Sequence, residues 1–256
     1  MWTARSNGLH LRELPKGLVY DLSTTIQGRI PLGPPSLDCL LNGGLCRGEI
    51  TLVYGEANTG KTTTVIQVAN ATARTGLKTI YIDCDHSFTQ QRFNQIAGNE
   101  SKQISELINL FLPETFSEQR TIIESLENYV TPSLGVIVVD SMSSLYRASF
   151  SDTASIFSLN RDLSRQLAYL SELTASHKIA CVVTSQVHAR LKPPAADIEP
   201  VARRTILHFP RTILRLKNTP KPSVKEFILE RADGVDVGRR SCLVRLSDAG
   251  LVEVGN

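Results

Sequence analysis

An α/β fold, with a mostly parallel sheet, helices on both faces and an antiparallel C-terminal extension, is predicted by three observations on the 256-residue chain. The run Ile50-Thr51-Leu52-Val53-Tyr54 reads as a buried strand and leads directly into Gly55-Glu56-Ala57-Asn58-Thr59-Gly60-Lys61-Thr62-Thr63, which satisfies G-x-x-x-x-G-K-[ST]. Apolar runs of strand length then alternate with amphipathic stretches as far as Ser185. Beyond Arg211 the alternation stops, and β-rich segments follow one another around the turn residues Asp233-Gly234.

Residues 1–30 show no strong periodicity. Short strands are expected around Leu9-His10-Leu11 and Leu18-Val19-Tyr20, and the stretch is read as an extension packed on a core domain of residues 31–256. Gly33-Pro34-Pro35 breaks the chain, Ser36 is expected to cap a short helix, and Asn42-Gly43-Gly44 ends it. Thr62 to Arg74 is a helix with Val65, Ile66, Ala69 and Ala73 on one face and Gly76 as its stop. Thr79 to Asp83 is the next strand, Thr89 to Ala97 a helix closed by Gly98, and Asn109 to Leu112 a short strand. Thr115-x-x-Glu118 predicts a capping box for a helix running to Tyr129. Leu134 to Asp140 is apolar up to its final carboxylate, as in a strand buried on both faces. Ile156, Leu159, Leu163, Leu167 and Leu170 recur at helical spacing and predict a long amphipathic helix to about Ser176. Ile179 to Ser185 is another buried strand, with a long loop after Gln186. Thr212 to Leu216, Lys225 to Glu230 and Ser241 to Leu246 supply the antiparallel addition.

A loop of this composition between strand and helix is built for a phosphate chain. The backbone N–H groups of Gly55 to Thr63 are expected to wrap the β-phosphate, with the positive end of the following helix aimed at the same charge. Lys61 reaches the β- and γ-phosphates, and Thr62 ligates Mg²⁺, so ATP and Mg²⁺ are the expected ligands. Asn58 stands where many such loops carry another glycine; Asn tolerates a left-handed backbone well enough for the loop to close. Asp140 fits the carboxylate that holds the Mg²⁺ through water, the alternative being a strand-end Asp that caps the next turn.

Hydrophobic residues at 41% and charged residues at 21% describe an ordinary globular composition, and no apolar run has the length of a membrane span. Met1 to His10 lacks the apolar segment of a signal peptide, so a cytoplasmic protein is expected. The five cysteines include no C-x-x-C pair, which suits reduced core thiols better than a disulfide framework or a zinc site. The net charge is +3, but eight cations against two carboxylates between Val187 and Lys221 make that segment +6 and leave the remainder about −3. Such a segment suits phosphate backbones, with Arg190, Lys192, Arg203 and Arg204 as the candidate contacts; a solvated loop with scattered cations is the alternative. Within it Phe209 is the single Phe or Tyr, so base stacking is expected to be minor.

The order of parts is now specific: the phosphate loop, Tyr81-Ile82-Asp83-Cys84-Asp85, the apolar strand to Asp140, Val182-Val183-Thr184-Ser185-Gln186-Val187, and a basic loop. This resembles the RecA superfamily and, within it, the archaeal RadA/RadB recombinase group, over about residues 22–250. Ser36-Leu37-Asp38-x-Leu40-Leu41-x-Gly43-Gly44, Arg92-Phe93-x-Gln95-Ile96-Ala97-Gly98, Leu145-Tyr146-Arg147, the run Leu159 to Ala168, Leu229-Glu230-Arg231 and Gly238-Arg239 look like the short RadB-type paralogs. The resemblance implies a RecA-like ATPase core. It places Asp85 where the family has the Glu that activates the attacking water, Gln186 where a Gln contacts the γ-phosphate, and Arg92 where an Arg stacks on adenine. Residues 188–209 fall in the second DNA-binding loop and Arg147 to Ser155 in the first.

What the resemblance implies for function is an ATP- and DNA-binding accessory protein of homologous recombination and DNA repair, a weak ATPase associated with the nucleoid. Its implied partners are single-stranded DNA, a RadA-type recombinase or another recombination protein, and further copies of itself. The family's full-length recombinases carry an N-terminal helical domain and a Phe-x-x-Ala linker that docks the neighbouring protomer; this sequence contains neither, which weighs against an active strand-exchange recombinase. A KaiC-like signalling ATPase is the other alternative. There an acidic pair is expected, whereas Asp85 is followed by His86.

Overall fold

The middle of the chain needs cover on both sides, because Leu52, Ile80, Ile82, Val136, Ile137, Val138 and Val183 are all fully buried although neighbouring residues on a strand point to opposite faces. The computed structural model describes residues 28–151, 156–189 and 198–255. Its strands are β1 (Arg29–Ile30), β2 (Leu45–Cys46), β3 (Ile50–Gly55), β4 (Lys78–Asp83), β5 (Ile108–Phe111), β6 (Leu134–Asp140), β7 (Ala180–Ser185), β8 (Val187–Ala189), β9 (Ile198–Pro200), β10 (Thr212–Asn218), β11 (Val224–Ala232), β12 (Val235–Ser247) and β13 (Gly250–Glu253). The helices are α1 (Pro35–Leu40), α2 (Lys61–Arg74), α3 (Gln90–Ala97), α4 (Ser101–Ser105), α5 (Phe116–Glu124), α6 (Ser144–Ala148), α7 (Ile156–His177) and α8 (Arg203–Ile206).

The main sheet has nine strands in the order β13-β12-β11-β10-β3-β7-β6-β4-β5. From β10 to β5 every neighbour is parallel; β11, β12 and β13 continue the sheet antiparallel, as the sequence predicts. Alternation along β6 divides the core. Val136 and Val138 pack with Val65, Ile66 and Ala69 of α2 on one face, while Ile137 and Val139 pack with Leu163, Leu167 and Leu170 of α7 on the other. Leu163→Ala removes a fully buried side chain between α7 and the sheet, and is expected to cost about 2–5 kcal/mol of unfolding free energy in a denaturant titration. Arg161→Ala, on the exposed side of the same helix, is expected to stay within about 0.5 kcal/mol of the parent.

Several local expectations need revision. Ser36 does not cap α1: Pro34 occupies the cap position, and the Ser36 hydroxyl donates to Glu253 Oε2 at 3.0 Å. Thr115 caps α5, accepting from the Glu118 N–H, but Glu118 reaches back to the N–H of Glu114 and not to that of Thr115. That helix stops at Glu124, and a short 3₁₀ turn, Leu126–Tyr129, completes the segment. The segment after Gln186 contains a two-stranded ribbon, β8 against β9, where a plain loop is expected. Of the expected N-terminal extension, Arg29 and Ile30 pair with Cys46 and Leu45; the strands expected near Leu9 and Leu18 lie outside the described residues. No helix among the described residues is long and apolar enough to cross a membrane.

Candidate functional site

The phosphate-loop motif sits where the sheet presents its C-terminal strand ends. β3 runs out at Gly55, whose Cα passes so close to β10 that a Cβ there would collide with the Leu216 carbonyl oxygen. Asn58 takes φ 60° and Gly60 φ 93°, so the left-handed backbone expected at Asn58 is present and the loop closes onto α2. The Thr59 hydroxyl donates to the Glu56 carbonyl at 2.8 Å, pinning the loop from inside, while Glu56, Ala57 and Asn58 are exposed. Lys61 Nζ donates to the carbonyl oxygens of Gly55 (2.9 Å) and Glu56 (2.7 Å). Burial pushes its pKa down, against the pull of the Asp140, Asp85 and Glu56 carboxylates.

Asp140 ends β6 directly beside Asp83 at the end of β4. It is 1% exposed, and burial pushes its pKa up, opposed by hydrogen bonds from the hydroxyls of Thr184, Thr62 and Tyr81. The Thr62–Asp140 contact brings together the two predicted metal residues, and a hydroxyl with a carboxylate is a set of hard oxygen donors. Asp83 caps the next loop by accepting from the N–H groups of Ser87 (3.1 Å) and Phe88 (2.8 Å). Asp85 is therefore not the cap. Its N–H donates to the Asp140 carbonyl at 3.2 Å, and its half-buried carboxylate lies close enough to act electrostatically on both Lys61 and Asp140.

Gln186, just past β7, is a junction. Its N–H donates to Ser143 Oγ (3.1 Å), its side-chain Oε1 accepts from Arg147 Nη1 (2.5 Å), and its carbonyl accepts from the Val201 N–H (3.1 Å). One residue thus ties the strand ends to both expected DNA loops. Arg92 is held by the turn between β12 and β13: Nη2 donates to the Ser247 carbonyl (2.9 Å), Nη1 to that of Asp248 (3.0 Å), and Nη2 lies 3.4 Å from Thr63 Oγ1. Arg147, at the start of the first expected DNA loop, joins the site through Gln186, and Tyr81, Ser143 and Thr184 join it although no sequence motif points to them as site residues. The signal that could find them is a polar group at the end of, or just after, an apolar strand.

In the basic segment α8 presents Arg203 and Arg204 to solvent. Together with Tyr146, Asn160 and Glu199 they line an open depression of about 530 Å³. Arg203 Nε pairs with Glu199 at 3.4 Å. Arg190 and Lys192 lie outside the described residues. The +6 count overstates what the loop offers, because Arg211, just before β10, pairs with Glu49 and Arg215, within β10, pairs with Glu230.

The Rad51 family model matches residues 25–251. A DNA repair and recombination protein RadB from Methanococcoides burtonii is 34% identical over 195 residues, 76% of this chain and 85% of its own. The protein of that name from Thermococcus kodakarensis is 36% identical over 203 residues, 78% of this chain and 88% of its own. A crystal structure of the RadB recombinase superposes with a TM-score of 0.74 at 33% identity, covering 88% of this chain and 100% of that one.

Proposed function

The chain belongs to the Rad51 family, and from that premise we propose that it is an ATP- and DNA-binding accessory protein of homologous recombination and DNA repair, with weak ATP hydrolysis. The observation that carries this reading is the grouping at the C-terminal ends of the central strands: Lys61 and the Thr62–Asp140 pair, then Gln186, then Arg147 and Val201 in the two expected DNA loops.

Gly55 to Thr63 cradle the triphosphate, Lys61 supplies a partly buried cation, and Arg92 borders the nucleotide beside Thr63. Among the described residues no three His, Cys, Asp or Glu side chains form a metal cage, so Thr62 and Asp140 are the residues that would hold a divalent ion here. Bound Mg²⁺ would neutralise charge developing on the phosphates. Asp140 with Thr62, a carboxylate and a hydroxyl, fits a hard cation such as Mg²⁺. Asp85 orients the attacking water, and Gln186 conveys nucleotide state to the loops.

Arg190, Lys192, Arg203 and Arg204 contact the phosphate backbone without reading sequence. The partners are DNA, a RadA-type recombinase or another recombination protein, and copies of this chain, in the nucleoid. A binding titration across a salt series, with and without ATP, tests the reading. Arg203→Ala with Arg204→Ala is expected to flatten the slope of log affinity against log salt, by about 0.7 per phosphate no longer neutralised on a single strand and about 0.9 on a duplex. An unchanged slope and affinity would return both arginines to the role of solvated surface charge.

A further inference from the structure

We infer that Tyr81, together with Thr184, is a positioning residue for the nucleotide's metal ion: their two buried hydroxyls fix the carboxylate of Asp140 in the plane from which it holds a divalent cation. The inference rests on the Mg²⁺–ATP reading above and adds two residues to that site. Tyr81 lies beside Val138 on the neighbouring strand, so Asp140 is two residues further on and on the same face of the sheet. Two strand residues span about 6.6 Å. A phenol is long enough to reach that far, and the Tyr81 hydroxyl donates to Asp140 Oδ2 at 3.1 Å. On the other side Val138 lies beside Val182, which sets Thr184 level with Asp140, and the Thr184 hydroxyl donates to Oδ1. Each carboxylate oxygen thus has its own donor, one from β4 and one from β7, and turning the carboxylate out of that plane would break both bonds.

Packing alone does not call for the phenol oxygen. The Tyr81 ring is fully buried in the core cluster that includes Val136, Val138 and Val182, where a phenylalanine would fill the same space without the cost of burying a polar group. The ring is itself held in place. Phe88 packs edge-on against it with centroids 4.9 Å apart, and Phe93 backs Phe88 at 5.6 Å. The Asp83 carboxylate anchors Phe88 in turn, accepting from its N–H at 2.8 Å. A side chain locked on these sides holds its hydroxyl, and through it Asp140, with the precision a metal site requires. Thr62 supplies a third hydroxyl. An ionised carboxylate accepts at about four positions, so three donors leave roughly one for a cation or its bound water. Without the Tyr81 hydroxyl a second position opens on Oδ2, and the carboxylate is free to turn away from the phosphate loop.

The test titrates ATP into the full chain at a series of Mg²⁺ concentrations and again with a chelator, and follows Mn²⁺ binding to the ATP complex by electron paramagnetic resonance. Tyr81→Phe is expected to raise the Mg²⁺ concentration for half-maximal ATP binding, and to weaken Mn²⁺ binding, roughly 10- to 100-fold, the range for losing a partner that orients a metal ligand. ATP affinity in chelator should stay at the parent value. Thr184→Val is expected to behave alike, and Thr184→Ser, which keeps the hydroxyl, to match the parent. In an Asp140→Asn background Tyr81→Phe is expected to add nothing, because it acts through that carboxylate. Unchanged metal dependence in either hydroxyl-free variant overturns the inference. So does a loss of ATP binding that is equal in Mg²⁺ and in chelator, the mark of a general packing defect. If Tyr81→Phe does not fold, Thr184→Val decides alone. A parent whose ATP affinity ignores Mg²⁺ would instead overturn the metal reading itself.

Discussion

Lys61→Ala is expected to abolish ATP binding or turnover, with affinity falling at least about 10²-fold. The loop otherwise offers the phosphate chain backbone N–H groups and a helix end, each of which contributes partial charge only. Lys61 is the motif's one full positive charge. Its partly buried ammonium is steadied by the carbonyls of Gly55 and Glu56, so little ordering of that side chain remains when a nucleotide arrives. A hydrogen bond to a charged partner contributes about 1.5–3 kcal/mol, and removing two such bonds accounts for the expected fall. The fold should survive, because the carbonyls left behind lie at a partly open loop that water reaches. Nucleotide titration alongside a thermal melt checks both halves. Unchanged affinity and turnover would remove the phosphate-loop assignment.

The second large effect concerns Asp85. Wild-type hydrolysis is expected to be feeble, Asp85→Glu to raise turnover by up to about 10²-fold, and Asp85→Ala to leave ATP binding intact while removing the residual rate. An Asp carboxylate reaches more than about 1 Å less far than that of a Glu on the same backbone. A misplacement of that size costs on the order of 10²-fold, and a general base contributes typically 10²–10⁴-fold. The structure sharpens the case, since Asp83 does the capping and no hydrogen bond holds the Asp85 carboxylate among the described residues. The Asp140 carbonyl anchors its backbone, and His86 at φ 51° turns the chain away immediately after it. Steady-state turnover of the three proteins decides it. Brisk wild-type hydrolysis that persists in Asp85→Ala would assign the base elsewhere.

Much of the fold was legible because burial on both faces leaves a strong trace. Leu134 to Asp140 and the leucine-spaced helix match β6 and α7 to within about a residue at each end. The ribbon after Gln186 was hidden, since short strands interrupted by prolines and charges carry no alternation, and β13 is too short to register beside its turn. The phosphate loop was readable because its chemistry is local in sequence. The contacts of Asp140 were not, because Tyr81 and Thr184 reach it only through the β4–β6–β7 register. Charge counting misled for the same reason: Glu49 and Glu230 are distant in sequence from the arginines they pair with, and a window confined to one segment cannot see them.

The clamp on α2 by the end of the chain bears on how the protein is made. Gln67 bonds the backbone of Leu251 through both its Nε2 and Oε1, across 184 residues, and the Ser247 carbonyl steadies Arg92 beside Thr63. Leu246 packs against Gly60, and β3 lacks one of its two neighbours until Thr212 to Leu216 have been added. A ribosome that has translated the phosphate loop has therefore not yet supplied the residues that hold it in shape. Contacts of such separation close late in folding. The phosphate loop is among the first parts of the core to be synthesised while its C-terminal supports come last, so a chain clipped before Leu246 is expected to bind nucleotide more weakly than the parent in a titration.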